Sequence, residues 1–75
     1  MRIEWMGVAP SKCDGCGRAI KDTFYDMATK LGPWGCLCGA CAYHGIGCGE
    51  VGTGRGQRYD KRRRRGGDAW VKTAG

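Results

Sequence analysis

Large apolar side chains are scarce in this 75-residue chain, which has one phenylalanine, three tryptophans and three tyrosines beside 15 glycines. A domain of about 60 residues buries only about 60% of the surface that its unfolded chain exposes, and small scaffolds usually need a metal or disulfides for stability. The composition therefore excludes a sizeable apolar core. We expect one small domain that depends on such a staple.

Long apolar runs are missing as well. No segment approaches the roughly 18 apolar residues of a membrane span. The stretch from Met1 to Pro10 carries an acid at Glu4 and lacks the apolar run of about 7 to 15 residues that a secretory signal needs. We therefore expect a cytoplasmic chain, in which paired cysteines more often bind metal than form disulfides.

Cysteine, in contrast, is abundant, and four of the six cysteines form two CxxC motifs separated by 21 residues. This spacing is typical of a four-thiolate metal site. It predicts one tetrahedral zinc ion with no open position for water or substrate. The predicted ligands are Cys13, Cys16, Cys38 and Cys41. Iron, bound singly or in an iron–sulfur cluster, is the alternative for four thiolates.

Three further residues leave the ligand set open. Cys36 precedes Cys38 by two positions and offers an alternative ligand, although a CxxC motif places two sulfurs around one ion more naturally. His44 and Cys48 bring the potential ligands to seven, one short of two separate four-ligand sites. We expect none of these three residues to bind the metal ion. The sequence alone leaves open whether any of them joins the ligand set.

The segment between the two motifs favours a β-hairpin. Strand-forming residues occur between Arg18 and Met27, Ala28–Lys30 supply a turn, and Gly32-Pro33 opens a return strand that ends at Leu37. Residues 40–44 are predicted to form one helical turn, ended by Gly45. The expected fold is a small metal-stapled β-rich domain. More narrowly, it is a zinc ribbon, in which two zinc knuckles are joined by a hairpin.

We divide the chain into three parts. Residues 1–11 are an N-terminal lead-in or edge strand, residues 12–60 form the zinc-ribbon domain, and residues 61–75 form a disordered basic tail. The domain includes a segment from Gly45 to Gly56 in which half of the residues are glycine. Because ordering glycine is entropically costly, this segment is either a mobile linker or a loop packed closely against other backbone.

The positive charge is concentrated near the C-terminus. Between Arg55 and Arg65, seven basic residues face one acid, which gives the whole formal net charge of +6, while the remaining six basic and six acidic residues cancel. Arginine forks bind phosphate bidentately, so this run predicts contact with DNA or RNA. The predicted contact residues are Arg55, Arg58, Lys61, Arg62, Arg63, Arg64 and Arg65.

No enzyme template fits the motifs. A thioredoxin-like role needs a CxxC motif beside a βαβ unit, and a zinc deaminase needs an H-x-E motif that the single histidine, His44, does not provide. We predict a non-enzymatic binding module with no small-molecule substrate and no membrane contact. The alternative to nucleic acid is a protein partner, such as a host protein of transcription or defence, bound through the aromatic residues Trp34, Tyr43 and Trp70.

The chain resembles a family of small zinc-ribbon proteins encoded by tailed bacteriophages and prophages. The resemblance covers about two thirds of the chain, from Lys12 to Lys61. It is carried by the two CxxC motifs and by the segments Gly32–Trp34, His44–Gly47 and Gly52–Tyr59. It implies that the CxxC cysteines are the ligands, that Cys36 and Cys48 occupy positions that are usually apolar, and that the glycine-rich loop packs on the ribbon. It also implies a protein acting in the bacterial cytoplasm, but no known activity, and it does not extend to the arginine run that starts at Arg62.

Overall fold

The computed structural model describes residues 3–63 and 65–75 and has one four-stranded antiparallel sheet with a short helix. In this part of the chain the strands follow the spatial order β2-β1-β3-β4. The elements are β1 (Thr23–Met27), β2 (Gly35–Leu37), α1 (Gly39–His44), β3 (Gly56–Arg62) and β4 (Ala69–Ala74). The β-rich class predicted from the sequence is confirmed.

The hairpin predicted between the CxxC motifs is formed by β1 and β2, with Tyr25 opposite Leu37. Its turn is held by Thr29, whose hydroxyl donates to the carbonyl of Pro33 at 2.6 Å and accepts from the amide of Leu31 at 3.2 Å. Because these contacts are local, they hold the turn that returns the chain and delivers the second CxxC motif beside the first.

The predicted helical turn is also present, as α1. The amide of Gly45 donates to the carbonyl of Cys41 at 3.2 Å and marks the end of the helix. Ala42 is fully buried under the sheet. Since the second CxxC motif spans the start of this helix, α1 fixes the positions of Cys38 and Cys41 relative to β1 and β2.

The disorder predicted for residues 61–75 is wrong for the described residues. The strand β3 continues through Lys61 to Arg62, and β4 pairs with it, placing Lys61 opposite Trp70. Ala69 and Val71 are buried, and the ring of Trp70 packs on Phe24 at 5.1 Å between centroids. Apolar burial against the rest of the sheet therefore orders a segment whose composition is typical of disorder.

The N-terminal lead-in lies along the outer edge of β4. Glu4 bridges Val71, the amide of Trp5 donates to Trp70, and the amide of Lys72 donates to Ile3. This pairing is short, and it satisfies part of the edge that a terminal strand would otherwise expose.

The two faces of the sheet carry different cores. One face holds an aromatic group, in which Phe24 and Tyr59 stack at 5.1 Å and Trp5 meets both rings edge-on. The opposite face packs against α1 and the CxxC turns. Its buried cluster consists of Cys13, Tyr25, Met27, Leu37 and Ala42. Alternation along β1 explains this division, because successive side chains of a strand point to opposite faces.

The glycine-rich loop is packed and not free. The amide of Cys48 donates to Ala28 at 3.0 Å, and the amide of Lys30 donates to Ile46 at 2.7 Å. A β-carbon on Gly47 would lie 2.6 Å from the backbone of Ala42, so only glycine fits there without a shift. Among the described residues, no helix is long and apolar enough to cross a membrane.

Candidate metal centre

The structure brings together the four cysteines predicted as ligands. The thiol sulfurs all lie within 4.8 Å of one another. The members of this cysteine cluster are Cys13, Cys16, Cys38 and Cys41. The sulfurs of Cys16 and Cys38 are 3.7 Å apart, and sulfurs at about 2.3 Å from a tetrahedral zinc ion would be about 3.8 Å apart. The donor set and its dimensions are therefore compatible with a metal site.

Backbone amides surround the sulfur of Cys13. The amides of Gly15 and Cys38 both donate to it at 3.3 Å, so that both CxxC segments contact the same sulfur. Gly17 closes the first turn with a bond from its amide to the carbonyl of Cys13, and its φ of 77° requires glycine. Amides directed at sulfur stabilise the thiolate form that binds metal.

The thiols of the cysteine cluster differ in how readily they ionise. Burial opposes ionisation of Cys13, but hydrogen bonds from the backbone of Cys38, Cys16 and Gly15 lower its pKa to about 6. Burial, together with hydrogen bonds to the other three thiols, raises the pKa of Cys41 to about 12. A divalent cation favours ionisation of all four thiols, because its charge stabilises each of them as a thiolate.

Of the described residues, Cys36, His44 and Cys48 are not part of the cysteine cluster. Cys36 alternates with the buried Leu37 along β2 and therefore points to the other face of the sheet. Burial and the nearby carboxylates of Asp26 and Asp14 raise the pKa of Cys36 to about 11. The sulfur of Cys48 contacts two backbone carbonyls of its own loop, and His44 is exposed at the end of α1.

Asp14 ties the first CxxC turn to β2, a role that the sequence did not reveal. Its carboxylate accepts from the amide of Cys36 at 2.8 Å, and its own amide donates to the carbonyl of Cys36 at 2.9 Å. Asp14 is the second residue of the motif, and no spacing rule singles it out. Its contribution to the site is therefore to fix the first pair of sulfurs relative to the hairpin.

The predicted basic residues divide into two groups. Arg55 pairs with Glu50, Arg58 pairs with Asp60 at 3.1 Å, and Lys61 lies 4.0 Å from the carboxylate of Asp68. The second group lies in or near the turn between β3 and β4, which we call the hairpin tip (residues 62–68). Within the described part of the chain, the tip arginines Arg62, Arg63 and Arg65 are exposed and form no ion pair. Arg64 lies outside the described residues.

Asp60 organises a second polar group that sequence reasoning counted only as a charge. Its carboxylate accepts from the hydroxyl of Thr23 at 2.5 Å and from that of Thr73 at 2.6 Å, in addition to the ion pair with Arg58. Burial alone would raise the pKa of Asp60, but these hydrogen bonds and the guanidinium outweigh it and lower the pKa. The group joins β1, β3 and β4 beside the hairpin tip.

The three aromatic residues predicted to bind a protein differ in exposure. Trp34 and Tyr43 are 47% and 46% exposed, whereas Trp70 is half-buried against Phe24. Leu31, in the same turn as Trp34, is 73% exposed. An exposed apolar turn is thus present at Leu31 and Trp34, and Trp70 contributes to the packing of the sheet.

Comparisons with other proteins add no family. The chain matches no protein-family model, and comparisons with curated proteins and with solved structures return no match. The cysteine cluster, the hairpin tip and the exposed turn are the features of this chain that bear on its function.

Proposed function

We propose that this protein is a non-enzymatic zinc-ribbon module that binds nucleic acid through the arginines of the hairpin tip. The observation that carries the proposal is the contrast among the basic residues. Acids of the chain itself already neutralise Arg55 and Arg58, while the tip presents Arg62, Arg63 and Arg65 to solvent without ion pairs among the described residues. Unpaired guanidinium groups are available to phosphate oxygens.

Zinc is the metal we assign to the cysteine cluster. Its four thiolates would fill a tetrahedral shell, so the ion would have no position for a water or a substrate and would serve the fold alone. Iron in the same shell would absorb visible light, whereas zinc is colourless. The absorbance spectrum of the purified protein therefore distinguishes the two metals.

The expected partner is a nucleic acid, which the protein contacts through the phosphate backbone. The resemblance to phage proteins implies that this contact occurs in the cytoplasm of a bacterial host. Each phosphate that a basic residue neutralises releases counterions. The logarithm of the binding constant therefore falls linearly with the logarithm of the salt concentration, with a slope of about −0.9 per phosphate contact on duplex DNA. Four tip arginines, counting Arg64 from the sequence, predict a steep salt dependence.

The proposal is tested with a charge-matched pair of variants. Arg63→Gln/Arg65→Gln removes two positive charges from the tip, and Arg18→Gln/Lys21→Gln removes two from exposed positions between the first CxxC motif and β1. We expect the tip variant to weaken binding to DNA or RNA more and to reduce the salt slope by about two. Equal effects of the two variants, or no binding of the unaltered protein at low salt, would refute the proposal.

A protein partner is the second candidate, and the exposed turn at Leu31 and Trp34 favours it. Large apolar side chains that remain exposed often serve as interface anchors. In this case a partner captured from bacterial lysate should remain bound at high salt and after nuclease treatment. Trp34→Ala should abolish that capture, whereas Arg63→Gln/Arg65→Gln should leave it unchanged.

A further inference from the structure

The members of the cysteine cluster differ in their exposure to solvent. Cys13 is buried, with 3% of its surface exposed. Cys38 and Cys41 are half-buried and pack against the buried residues of the same face of the sheet. Of these four described residues, only Cys16 is exposed. The cluster is therefore open to solvent on one side, at the second cysteine of the first CxxC motif.

The first CxxC turn covers two of the other sulfurs. The amides of Gly15 and Cys38 donate to the sulfur of Cys13 at 3.3 Å. A β-carbon on Gly15 would lie 2.9 Å from the sulfur of Cys41, so the backbone of the turn already lies against that sulfur. A small reagent dissolved in water therefore reaches the sulfur of Cys16 more readily than the sulfur of Cys13 or Cys41.

Cys16 also has a thiol of the other CxxC motif beside it. Its sulfur lies 3.7 Å from the sulfur of Cys38. Oxidation of cysteine follows thiolate character and exposure, and an oxidised cysteine condenses with a neighbouring thiol to form a disulfide. The exposed Cys16 and the half-buried Cys38 are therefore arranged as a site of oxidation and the thiol that completes the reaction.

We propose, resting on the zinc site assigned above, that hydrogen peroxide oxidises this protein at Cys16 and that Cys38 then forms a disulfide with it. The thiolate of Cys16 attacks one peroxide oxygen, so that an S–O bond forms, the O–O bond breaks and hydroxide leaves. The thiolate of Cys38 attacks the sulfur of this sulfenic acid, so that an S–S bond forms, the S–O bond breaks and a second hydroxide leaves. Two electrons pass from the two thiolates to one peroxide, and two protons convert the hydroxides to water.

The disulfide joins the two CxxC motifs and removes two of the four zinc ligands. Zinc is bound by thiolates, so the two remaining cysteines would leave the tetrahedral shell half empty and the site would lose its ion. Because metal binding and folding are coupled in small zinc domains, the chain would unfold with this loss. Oxidation at Cys16 would therefore abolish any binding that requires the folded domain.

The first test maps the oxidation product of the unaltered full chain. Zinc-loaded protein receives less than one equivalent of hydrogen peroxide, a colorimetric indicator measures the zinc that is released, and fragmentation mass spectrometry locates the disulfide. We expect a disulfide between Cys16 and Cys38, and one zinc ion released for each disulfide formed. Any other first disulfide, or zinc that stays bound while peroxide is consumed, overturns this proposal and leaves the zinc site standing. A chain that takes up no zinc overturns both.

The second test removes the reactive sulfur and keeps a fourth ligand. Cys16→His leaves three thiolates and one imidazole, a donor set that structural zinc sites use, at an exposed position. We expect peroxide to release zinc from this variant at least about tenfold more slowly than from the unaltered chain, because the exposed thiolate is gone.

Cys36→Ser is the matched control, because it removes a thiol that lies outside the cysteine cluster. It should release zinc at the rate of the unaltered chain. Equal rates for Cys16→His and the unaltered chain would contradict the proposal, and so would an equal slowing by Cys36→Ser. If Cys16→His takes up no zinc, the disulfide map of the unaltered chain decides.

Discussion

At the scale of single residues, four thiol sulfurs that lie within 4.8 Å of one another form the cysteine cluster. The two CxxC motifs identified the four members of the cysteine cluster, because their spacing reflects the geometry of a metal site. Cys36 and Cys38 differ in their element: Cys36 lies within β2 on the face opposite the buried Leu37, whereas Cys38 follows the end of β2 at the N-cap of α1, where the chain leaves the sheet. Asp14 and Asp60 could not be predicted, because their hydrogen-bond partners are distant in sequence.

Gly47 is a position where a single methyl group should matter. An added β-carbon would lie 2.6 Å from the backbone of Ala42 and 2.7 Å from the sulfur of Met27. We expect Gly47→Ala to lower the free energy of unfolding by about 1–3 kcal/mol, because the backbone of α1 must shift to make room. Chemical denaturation measures this.

Gly39→Ala is the matched control for that substitution. The nearest atom to its added β-carbon is a ring carbon of Tyr25 at 3.9 Å, an ordinary contact distance, and alanine favours the helix. Its stability should be equal to or above that of the unaltered protein. If both variants are equally stable, the glycine-rich loop is not packed against α1 as described.

Asp60 should stabilise the fold through its ionised form. Its lowered pKa means that the contribution is complete above the unfolded-state pKa of about 3.9 and is lost as the pH falls through the folded-state value. We therefore expect Asp60→Asn to destabilise the protein by about 1–3 kcal/mol, and by the same amount at every pH between about 5.5 and 8. Denaturation at several pH values measures both quantities.

Asp68→Asn is the control for the loss of charge. Asp68 is exposed and lies 4.0 Å from Lys61, so its removal should change stability by less than about 1 kcal/mol. A penalty for Asp60→Asn that is no larger than this would show that the contacts with Thr23, Thr73 and Arg58 add nothing.

At the scale of elements, the local ones could be predicted and the distant ones could not. The hairpin of β1 and β2 and the helix α1 have their own turn and end residues, which the sequence displays. The strands β3 and β4 lie in a glycine- and arginine-rich segment whose composition indicates disorder. Alternation around Tyr59 and the apolar residues Trp70 and Val71 were the available signals, and the strong charge of the segment obscured them.

Ordered pairing of β4 can be measured by hydrogen exchange. The amide of Lys72 is bonded to Ile3, and that of Lys61 is bonded to Asp22. We expect both amides to be protected to about the same degree as the amides of β1, because they belong to the same sheet. The exposed amide of Gly67, in the tip, should exchange quickly. Fast exchange throughout residues 69–74 would instead show that this segment is disordered and that β4 does not pair.

Truncation after Lys61 gives a second measurement at this scale. It removes the buried Ala69 and Val71 and exposes the aromatic group around Phe24, so the shortened chain should be less stable than the full chain even with all four cysteines present. A truncated chain of unchanged stability would contradict the structural role of β4. For this reason charge substitutions, and not truncation, are the suitable test of nucleic-acid binding.

At the scale of the whole molecule, the cysteine cluster and the aromatic group lie on opposite faces of one sheet. The buried cluster on the face of the cysteines consists of only five residues, and Tyr25 is its one aromatic member. The others are Cys13, Met27, Leu37 and Ala42. A core this small cannot offset the conformational entropy of about 75 residues. The metal should therefore supply a large part of the stability, roughly 10–16 kcal/mol in apparent free energy for comparable structural zinc sites.

Removal of the metal should accordingly unfold the protein. We expect a strong chelator at neutral pH to abolish the cooperative thermal transition and near-ultraviolet circular dichroism, and zinc to restore both under reducing conditions. A chelated, metal-free protein that keeps its transition would show that the two apolar groups suffice without the ion.

We propose that Cys13, Cys16, Cys38 and Cys41 together hold one zinc ion. Native mass spectrometry of the unaltered chain, Cys36→Ser and Cys38→Ser tests this most directly, since the two substitutions are chemically identical and lie two residues apart. We expect one zinc ion per chain in the unaltered protein and in Cys36→Ser, and loss of stoichiometric zinc in Cys38→Ser. Zinc retained by Cys38→Ser, or lost from Cys36→Ser, would contradict it.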